Sequence, residues 1–428
     1  MYREKIKEMY KWKEQKAKIP LLVKGARRVG KTHLVQNFAK EAYKNLIHIF
    51  YINNHVEIIK NFKLEINISD VKEIEQFLKD AEPDTLIFID DIEKFKQKKI
   101  FDLVNHEKKL DIIITSSILT ENDFEFRIKS LRLNPLTFKE FLSAIGEKEL
   151  EEKLLEEDLT KIQEYSAKYI NNIKKYMYIG GMPEVVEIFS KNKDYRLVRQ
   201  KQKEIIDLYM SDIEKENRML ANSLKEVWNV MIEQLKKENK EFDCREIKKG
   251  AQLPEYEPIV NILKNRGYVY KIDRVIKPGI PITAFRDILN FEIFPVDIGL
   301  LSCLLDIDLT LILKENEIFR IYNRILEKQF VIQELFNQLE TQIYYWKETN
   351  MSYEIDFLIQ YQAKIYPIKI NLDENKLDSS LRWFHQKYQN YSEINLTFDK
   401  YKWQGWYTDV PIYLVGNIKS LLRGVIIK

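Results

Sequence analysis

Cysteine and histidine are scarce in this chain, which has two cysteines, Cys244 and Cys303, and five histidines scattered singly among 428 residues. That excludes a disulfide framework and supplies no zinc-ligand spacing, so a reducing cytoplasm is the expected setting. No apolar run approaches the roughly 18 residues needed to cross a bilayer, and no membrane span is expected. The N-terminus has no continuous apolar core either. Arg3, Lys5, Lys7 and Lys11 alternate there with Ile6, Met9 and Tyr10, which reads as an amphipathic charged helix rather than a signal peptide. Charge of one sign is also lacking. Lys+Arg number 69 against Asp+Glu 66, a net charge of +3 with 32% charged residues, and this balance neither demands nor excludes nucleic acid. Single cores rarely grow past about 250 residues, so the length implies about two to four domains.

What is present is a phosphate-binding pattern. Gly25-Ala26-Arg27-Arg28-Val29-Gly30-Lys31-Thr32 fits G-x-x-x-x-G-K-[ST]. The apolar run Pro20-Leu21-Leu22-Val23 precedes it as a buried strand, and Thr32 to Tyr43 follows as a helix with Leu34, Val35, Phe38 and Ala39 on one face. Backbone N–H groups from Gly25 to His33 would converge on phosphate oxygens at the helix N-terminus, with glycines at the tight points. Lys31 would lie along the β- and γ-phosphates and the Thr32 hydroxyl would ligate Mg²⁺.

A second apolar strand, Thr85-Leu86-Ile87-Phe88-Ile89, ends in Asp90-Asp91. By itself an acidic strand end is a helix cap. Behind a phosphate loop, Asp90 becomes the metal-side carboxylate. A third strand, Asp111-Ile112-Ile113-Ile114, runs into Thr115-Ser116-Ser117, whose hydroxyls would either sense the γ-phosphate or cap the next segment. Strands at Leu46–Ile52 and Ser130–Leu133, separated from the others by helical stretches, argue for a mostly parallel sheet.

The loop, the Ile-Asp-Asp strand end, Thr-Ser-Ser, Arg127, the segment Leu131-Arg132-Leu133-Asn134-Pro135-Leu136-Thr137-Phe138-Lys139-Glu140-Phe141-Leu142 and Gly180-Gly181-Met182-Pro183-Glu184 form one series. It resembles the prokaryotic AAA-like P-loop ATPases that carry a C-terminal winged helix and a PD-(D/E)xK nuclease-like domain. The resemblance covers nearly the whole chain and implies ATP rather than GTP; no guanine-specific Asn-Lys-x-Asp segment is present. In that family the residue after the metal-side Asp is usually a water-orienting Glu. Here it is Asp91, one methylene shorter, so hydrolysis is expected to be slow. The resemblance also offers Arg127, or else Arg132, as the arginine acting on the γ-phosphate; a solvent-facing arginine is the alternative.

Residues 146–220 are helical in pattern and read as a lid, broken at Gly180-Gly181 with a helix restart at Pro183. The resemblance implies that this turn faces the nucleotide domain. From Ser223 to Val275 the order helix, short helix, helix and strand matches a winged helix, assigned to 221–285. Lys248, Lys249, Lys264 and Arg266 would allow phosphate contacts with duplex DNA. A packing module is favoured, because no dense basic stripe is present.

Residues 286–428 look like the nuclease-like domain, with Asp356 at the metal-binding Asp, Glu327 as a helical acid and Glu354 nearby. The next strand should bring Glu-x-Lys, but the chain reads Tyr366-Pro367-Ile368-Lys369-Ile370-Asn371. One register places Lys369 at the acid and Asn371 at the lysine, and the other places Pro367 at the acid. Neither supplies a second carboxylate, and a lysine beside Asp356 would pair with it. Trp383, Trp403 and Trp406 could stack bases, but core positions explain them better.

The expected architecture is therefore an α/β P-loop sheet (1–145) with a helical lid, a winged helix and a degenerate nuclease-like α/β domain. The expected activity is slow Mg²⁺-dependent ATP hydrolysis, with Lys31, Asp91 and Arg127 catalytic, Gly25 to His33 holding ATP, and Thr32 with Asp90 holding Mg²⁺. A DNA-associated nuclease-ATPase and a non-hydrolysing ATP switch are the rivals. Duplex DNA and protein both stand open as partners, and so does an oligomer.

Overall fold

The computed structural model describes the chain apart from residues 16, 53–54, 62–63, 69–73, 75–80, 96–98, 107–108, 238–239, 311–316, 340, 349–351, 372–378, 390 and 425–428. Two compact units are present: one holds Tyr2–Asn134 with Asn265–Gly267, the other Pro135–Lys264 with Tyr268–Lys428.

The first unit is built on seven strands in the order β4-β3-β2-β5-β6-β1-β7: β1 Leu21–Lys24, β2 Asn45–Ile52, β3 His55–Lys60, β4 Leu64–Ile68, β5 Thr85–Ile89, β6 Asp111–Ser116 and β7 Lys129–Arg132. The run β2-β5-β6-β1-β7 is parallel throughout. β5 and β6 are buried along their whole length, as expected of central parallel strands covered on both faces. β3 pairs antiparallel with β2 and β4 antiparallel with β3, an addition the apolar pattern does not announce. The core packs Leu22, Ile47, Ile87, Ile112 and Ile114 with Ile92 and Val104. The helix Lys31–Ala42 buries the anticipated face of Leu34, Val35, Phe38 and Ala39.

The second unit carries eight strands in the order β14-β15-β13-β12-β11-β10-β8-β9: β8 Val269–Val275, β9 Arg286–Pro295, β10 Ile343–Lys347, β11 Glu354–Tyr361, β12 Lys364–Ile370, β13 Glu393–Thr397, β14 Lys402–Trp403 and β15 Tyr407–Pro411. β10, β11 and β12 form an antiparallel meander, and β13 lies parallel to β12. The hairpin β8–β9 spans residue 285 and continues this same sheet, with β8 parallel to β10. The stretch near Cys244 forms only a 3-10 turn, Cys244–Glu246, between the helices Arg218–Lys236 and Leu253–Asn265.

The segments Leu-x-Pro-Leu-Thr-Phe-x-Glu-Phe and Gly-Gly-Met-Pro turn out to hold one another. Thr137 and Glu140 form a reciprocal capping box at the start of the helix Phe138–Ile145. The preceding turn of chain is gripped by its surroundings: the Leu136 N–H donates to the Gly181 carbonyl (2.7 Å), and the Leu136 carbonyl accepts from the Tyr176 hydroxyl. The Phe138 N–H donates to Glu334 (2.7 Å), and Asn337 Nδ2 donates to the Pro135 carbonyl (3.2 Å). Gly180 has φ 79°, and any side chain there would overlap Asp297. Pro183 opens the helix Pro183–Asn192 as expected. The Gly181 N–H donates to Asp297 Oδ2 (2.6 Å), so the turn's backbone groups are taken by Asp297 and Leu136 of its own unit. Asp297 also caps the helix Ile298–Leu304 through the Leu300 N–H (3.0 Å). Burial raises the Asp297 pKa to about 6, although the N–H groups of Gly181, Leu300 and Gln333 favour its charged form.

Two outcomes follow. Gly181→Ala would drive a methyl group into the Leu136 backbone and should destabilise the protein by about 1–3 kcal/mol, read from urea midpoints. The folded-state pKa of Asp297 lies above the unfolded value of about 3.9, so its stabilising contribution is complete below about pH 4 and lost as pH rises through about 6. The unfolding free energy of the wild type minus that of Asp297→Asn should therefore fall across that window and level off above it.

Candidate nucleotide site

The phosphate loop leaves β1 and ends in Gly30, which takes φ 96° and starts the helix Lys31–Ala42 with no side chain capping its first turn. Uncapped N–H groups at a helix N-terminus form an anion site. Arg28 also takes a positive φ of 65°. Ala26 and Val29 are buried, while Arg28 is exposed and Arg27 partly so. His33 pairs with Asn37 on the exposed helix surface (3.0 Å).

Lys31 is 6% exposed. Its ammonium donates to the carbonyls of Gly25 (3.0 Å) and Ala26 (3.1 Å) and to Ser117 Oγ (3.1 Å). Burial lowers its pKa, against the pull of Asp91, Glu93 and Asp90. These oxygens are uncharged, so the ammonium is solvated but not neutralised.

Asp90, at the carboxyl end of β5, is the centre of a second cluster. Thr32 Oγ1 donates to its Oδ2 (2.9 Å), and Thr115 Oγ1 donates to its Oδ1 while accepting from the Asp91 N–H (2.8 Å). His48 Nε2 lies 3.5 Å from Asp90 Oδ2, its ring stacked on Phe88 with centroids 4.3 Å apart. Burial pushes the Asp90 pKa up, but the adjacent His48 imidazole and hydrogen bonds from Thr115 and Thr32 outweigh it, and the carboxyl is held below its ordinary value. Thr32 and an ionised Asp90 side by side are a donor set that fits Mg²⁺, and the uncapped loop with Lys31 fits a triphosphate.

The three hydroxyls at the end of β6 are divided. Thr115 serves Asp90, Ser117 serves Lys31, and Ser116 Oγ accepts from the N–H groups of Ile118 (3.1 Å) and Leu119 (2.9 Å) as a cap. Asp91 takes φ 50°, and its carboxylate pairs with Lys94 (2.8 Å). Arg132 ends β7. Arg127 precedes that strand, is exposed, and has no hydrogen bond or ion pair with Lys31, Thr32 or Asp90 among the described residues. Ser117, His48 and Glu93 were not singled out from sequence. The strand-plus-hydroxyl pattern marked Ser117 only as part of a triplet, and nothing local marked the other two.

In the second unit the register places Asp356 on β11 opposite Lys369 on β12. Lys369 Nζ lies 3.1 Å from Asp356 Oδ2 and 3.7 Å from Glu354. Lys240 lies 3.0 Å from Glu354 and 3.9 Å from Asp356, and Lys328 lies 2.6 Å from Glu292 and 4.0 Å from Asp356. Burial would raise the Asp356 pKa, but Lys369, Lys240 and Lys328 hold it well below the usual carboxylate range. Burial dominates at Glu292 and raises its pKa. On the helix that carries the anticipated Glu327, itself buried, the Lys328 ammonium reaches these acids. A cavity of about 200 Å³ adjoins the cluster, lined by Lys240, Glu241, Glu292, Arg324, Tyr345, Lys347 and Glu354 among others. Among the described residues no three carboxylate, imidazole or thiol side chains group as a metal site.

Two sequence expectations need correction. Arg266 is 5% exposed, so burial removes it from the basic set offered to DNA. Lys248 stays exposed, in a surface ion pair with Glu255 (3.2 Å). Trp403 is 70% exposed at the edge strand β14 rather than in a core, while Trp383 stacks on Trp346 (5.5 Å) and Trp406 on His385 (4.2 Å).

The fold and the loop together define the first unit as a P-loop nucleotide-binding domain. Residues 17–142 match the family model "AAA domain", which supports ATP binding by a P-loop ATPase domain. Residues 170–310 and 324–413 match two domains of unknown function, DUF8612 and DUF4143. No curated protein sequence matches this chain. A solved Walker-type ATPase of Pyrococcus abyssi is 14% identical with a TM-score of 0.43, covering 71% of this chain and 95% of that one. A signal transduction ATPase with numerous domains and a tetratricopeptide repeat sensor, from Pyrococcus horikoshii, is 13% identical with a TM-score of 0.25, covering 79% of this chain and 46% of that one. Among the described residues no helix is long and apolar enough to cross a membrane.

Asp356→Ala would leave Lys369, Lys240 and Lys328 crowded without their shared carboxylate. It should destabilise the protein by about 3–5 kcal/mol in chemical denaturation, the loss expected when one partner of a buried ion pair is removed.

Proposed function

We propose that the chain is a Mg²⁺-dependent ATPase of slow turnover whose nucleotide state is coupled to the second unit. The observation that carries this reading is the Thr32–Asp90 pair beside an uncapped helix N-terminus, with the Lys31 ammonium held next to it by the Gly25 and Ala26 carbonyls. The first-turn N–H groups and Lys31 would bind the triphosphate, and Thr32 with Asp90 would hold Mg²⁺. Bound there, the ion would neutralise charge developing between the β- and γ-phosphates. Thr115 and His48 position Asp90 and keep it ionised. Arg127 would act on the γ-phosphate only by coming from its exposed position.

For the C-terminal part we propose a nuclease-like fold without nuclease activity. The helix Glu317–Gln338 followed by the strands β10, β11 and β12 supports this reading, since the sequence reads as a helix, a strand, its hairpin partner and a further strand. Three ammonium groups occupy the surroundings of Asp356 where a divalent cation would need carboxylates. For the region 221–285, packing is the better-supported role than DNA contact, since Arg266 is buried. One observation favours the rival reading of a non-hydrolysing switch: the Asp91 carboxylate is engaged by Lys94.

Steady-state Mg²⁺-ATP hydrolysis, with and without duplex DNA, tests the proposal. Turnover should be measurable in the wild type, fall at least 100-fold in Lys31→Ala and be unchanged by DNA; supercoiled plasmid should stay intact in Mg²⁺ or Mn²⁺. ATP binding without turnover would establish the switch instead. Nicking lost in Asp356→Ala would restore the nuclease reading.

A further inference from the structure

We propose that Glu93, and not Asp91, is the carboxylate that orients the attacking water. The inference rests on the hydrolysis reading above.

Asp91 follows the metal-side Asp90 in sequence, but its backbone is in the left-handed region and its carboxylate turns to Lys94 (2.8 Å), where it is 27% exposed. Glu93 is carried on the 3-10 turn Ile92–Lys94 immediately beyond the end of β5. Its Oε1 accepts from the Ser117 N–H (2.9 Å), and the Ser117 hydroxyl accepts from the Lys31 ammonium (3.1 Å). One residue therefore separates Glu93 from the group that would hold the γ-phosphate. The other oxygen, Oε2, is buried and has no hydrogen-bond partner among the described residues. A buried carboxylate oxygen without a donor is destabilising, and such strain is tolerated where the group has a task that a satisfied group could not perform. A water molecule has the donors that Oε2 lacks. Glu also restores the methylene whose absence makes Asp91 short.

In the step this serves, the water oxygen forms a bond to the γ-phosphorus. The bond from that phosphorus to the bridging oxygen breaks, and ADP leaves with the electron pair. The water proton passes to Glu93 Oε2 and from there to the released phosphate.

Glu93→Gln and Asp91→Asn distinguish the two acids. Gln retains an oxygen for the Ser117 N–H and offers an amide where Oε2 now lacks a partner. Glu93→Gln should bind a fluorescent ATP analogue within threefold of the wild type, unfold at the same or a higher temperature without nucleotide, and lose at least 100-fold in turnover. Its loss should exceed that of Asp91→Asn by at least tenfold. A merely structural Glu93 would lower the unfolding temperature and spare turnover, and that outcome overturns the assignment. So does an Asp91→Asn loss equal to or greater than that of Glu93→Gln. If the wild type itself binds ATP but does not turn it over, the hydrolysis reading fails and this assignment falls with it, which the wild-type measurement alone reveals.

Discussion

A buried ammonium must be surrounded by oxygen, and the kind of oxygen decides what the site can do. Lys31 is ringed by two carbonyls and a hydroxyl, which solvate its charge without cancelling it, so an anion gains from approaching. Lys369, Lys240 and Lys328 are ringed by Glu354, Asp356 and Glu292, which cancel theirs. The same side chain thus carries an uncancelled charge in one unit and enters an ion-pair cluster in the other. Both depend on parallel or meander strands that bring distant residues to a shared sheet edge.

Around Asp90 the same rule works with the opposite sign. A buried carboxylate is kept ionised by hydroxyls from two other elements and by an imidazole packed on Phe88. Its neighbour Asp91 is drawn to Lys94 one turn away, so adjacent acids in the chain have different surroundings. The resulting division of labour follows from backbone direction at a strand end, where one residue continues the strand and the next enters a left-handed turn.

The linker that leaves the P-loop domain shows how a family-like segment can be structural. Leu136, Phe138 and Pro135 have their backbone groups taken by Gly181, Tyr176, Glu334 and Asn337. The helix that supplies Glu334 and Asn337 also carries Lys328, whose ammonium reaches Glu292 and Asp356. One helix therefore contacts both residues 135–138 and the ion-pair cluster.

What the sequence by itself determined was local. The loop Gly25 to Thr32, the buried strands β1, β5 and β6, the Asp90 strand end and the helix restart at Pro183 are all written in residues within a few positions of one another. That a lysine and no second carboxylate follows Asp356 on the next strand was also legible, because neither placement of Glu-x-Lys on Tyr366 to Asn371 brings an acid. What only the tertiary structure decided was which partner each charge meets. Glu93 on Ser117, His48 on Asp90, Lys240 and Lys328 beside the acids, the burial of Arg266 and the exposure of Trp403 each join or separate residues far apart in the chain. Periodicity carries no information about such encounters, since it reports which face of an element is buried and not what lies against it.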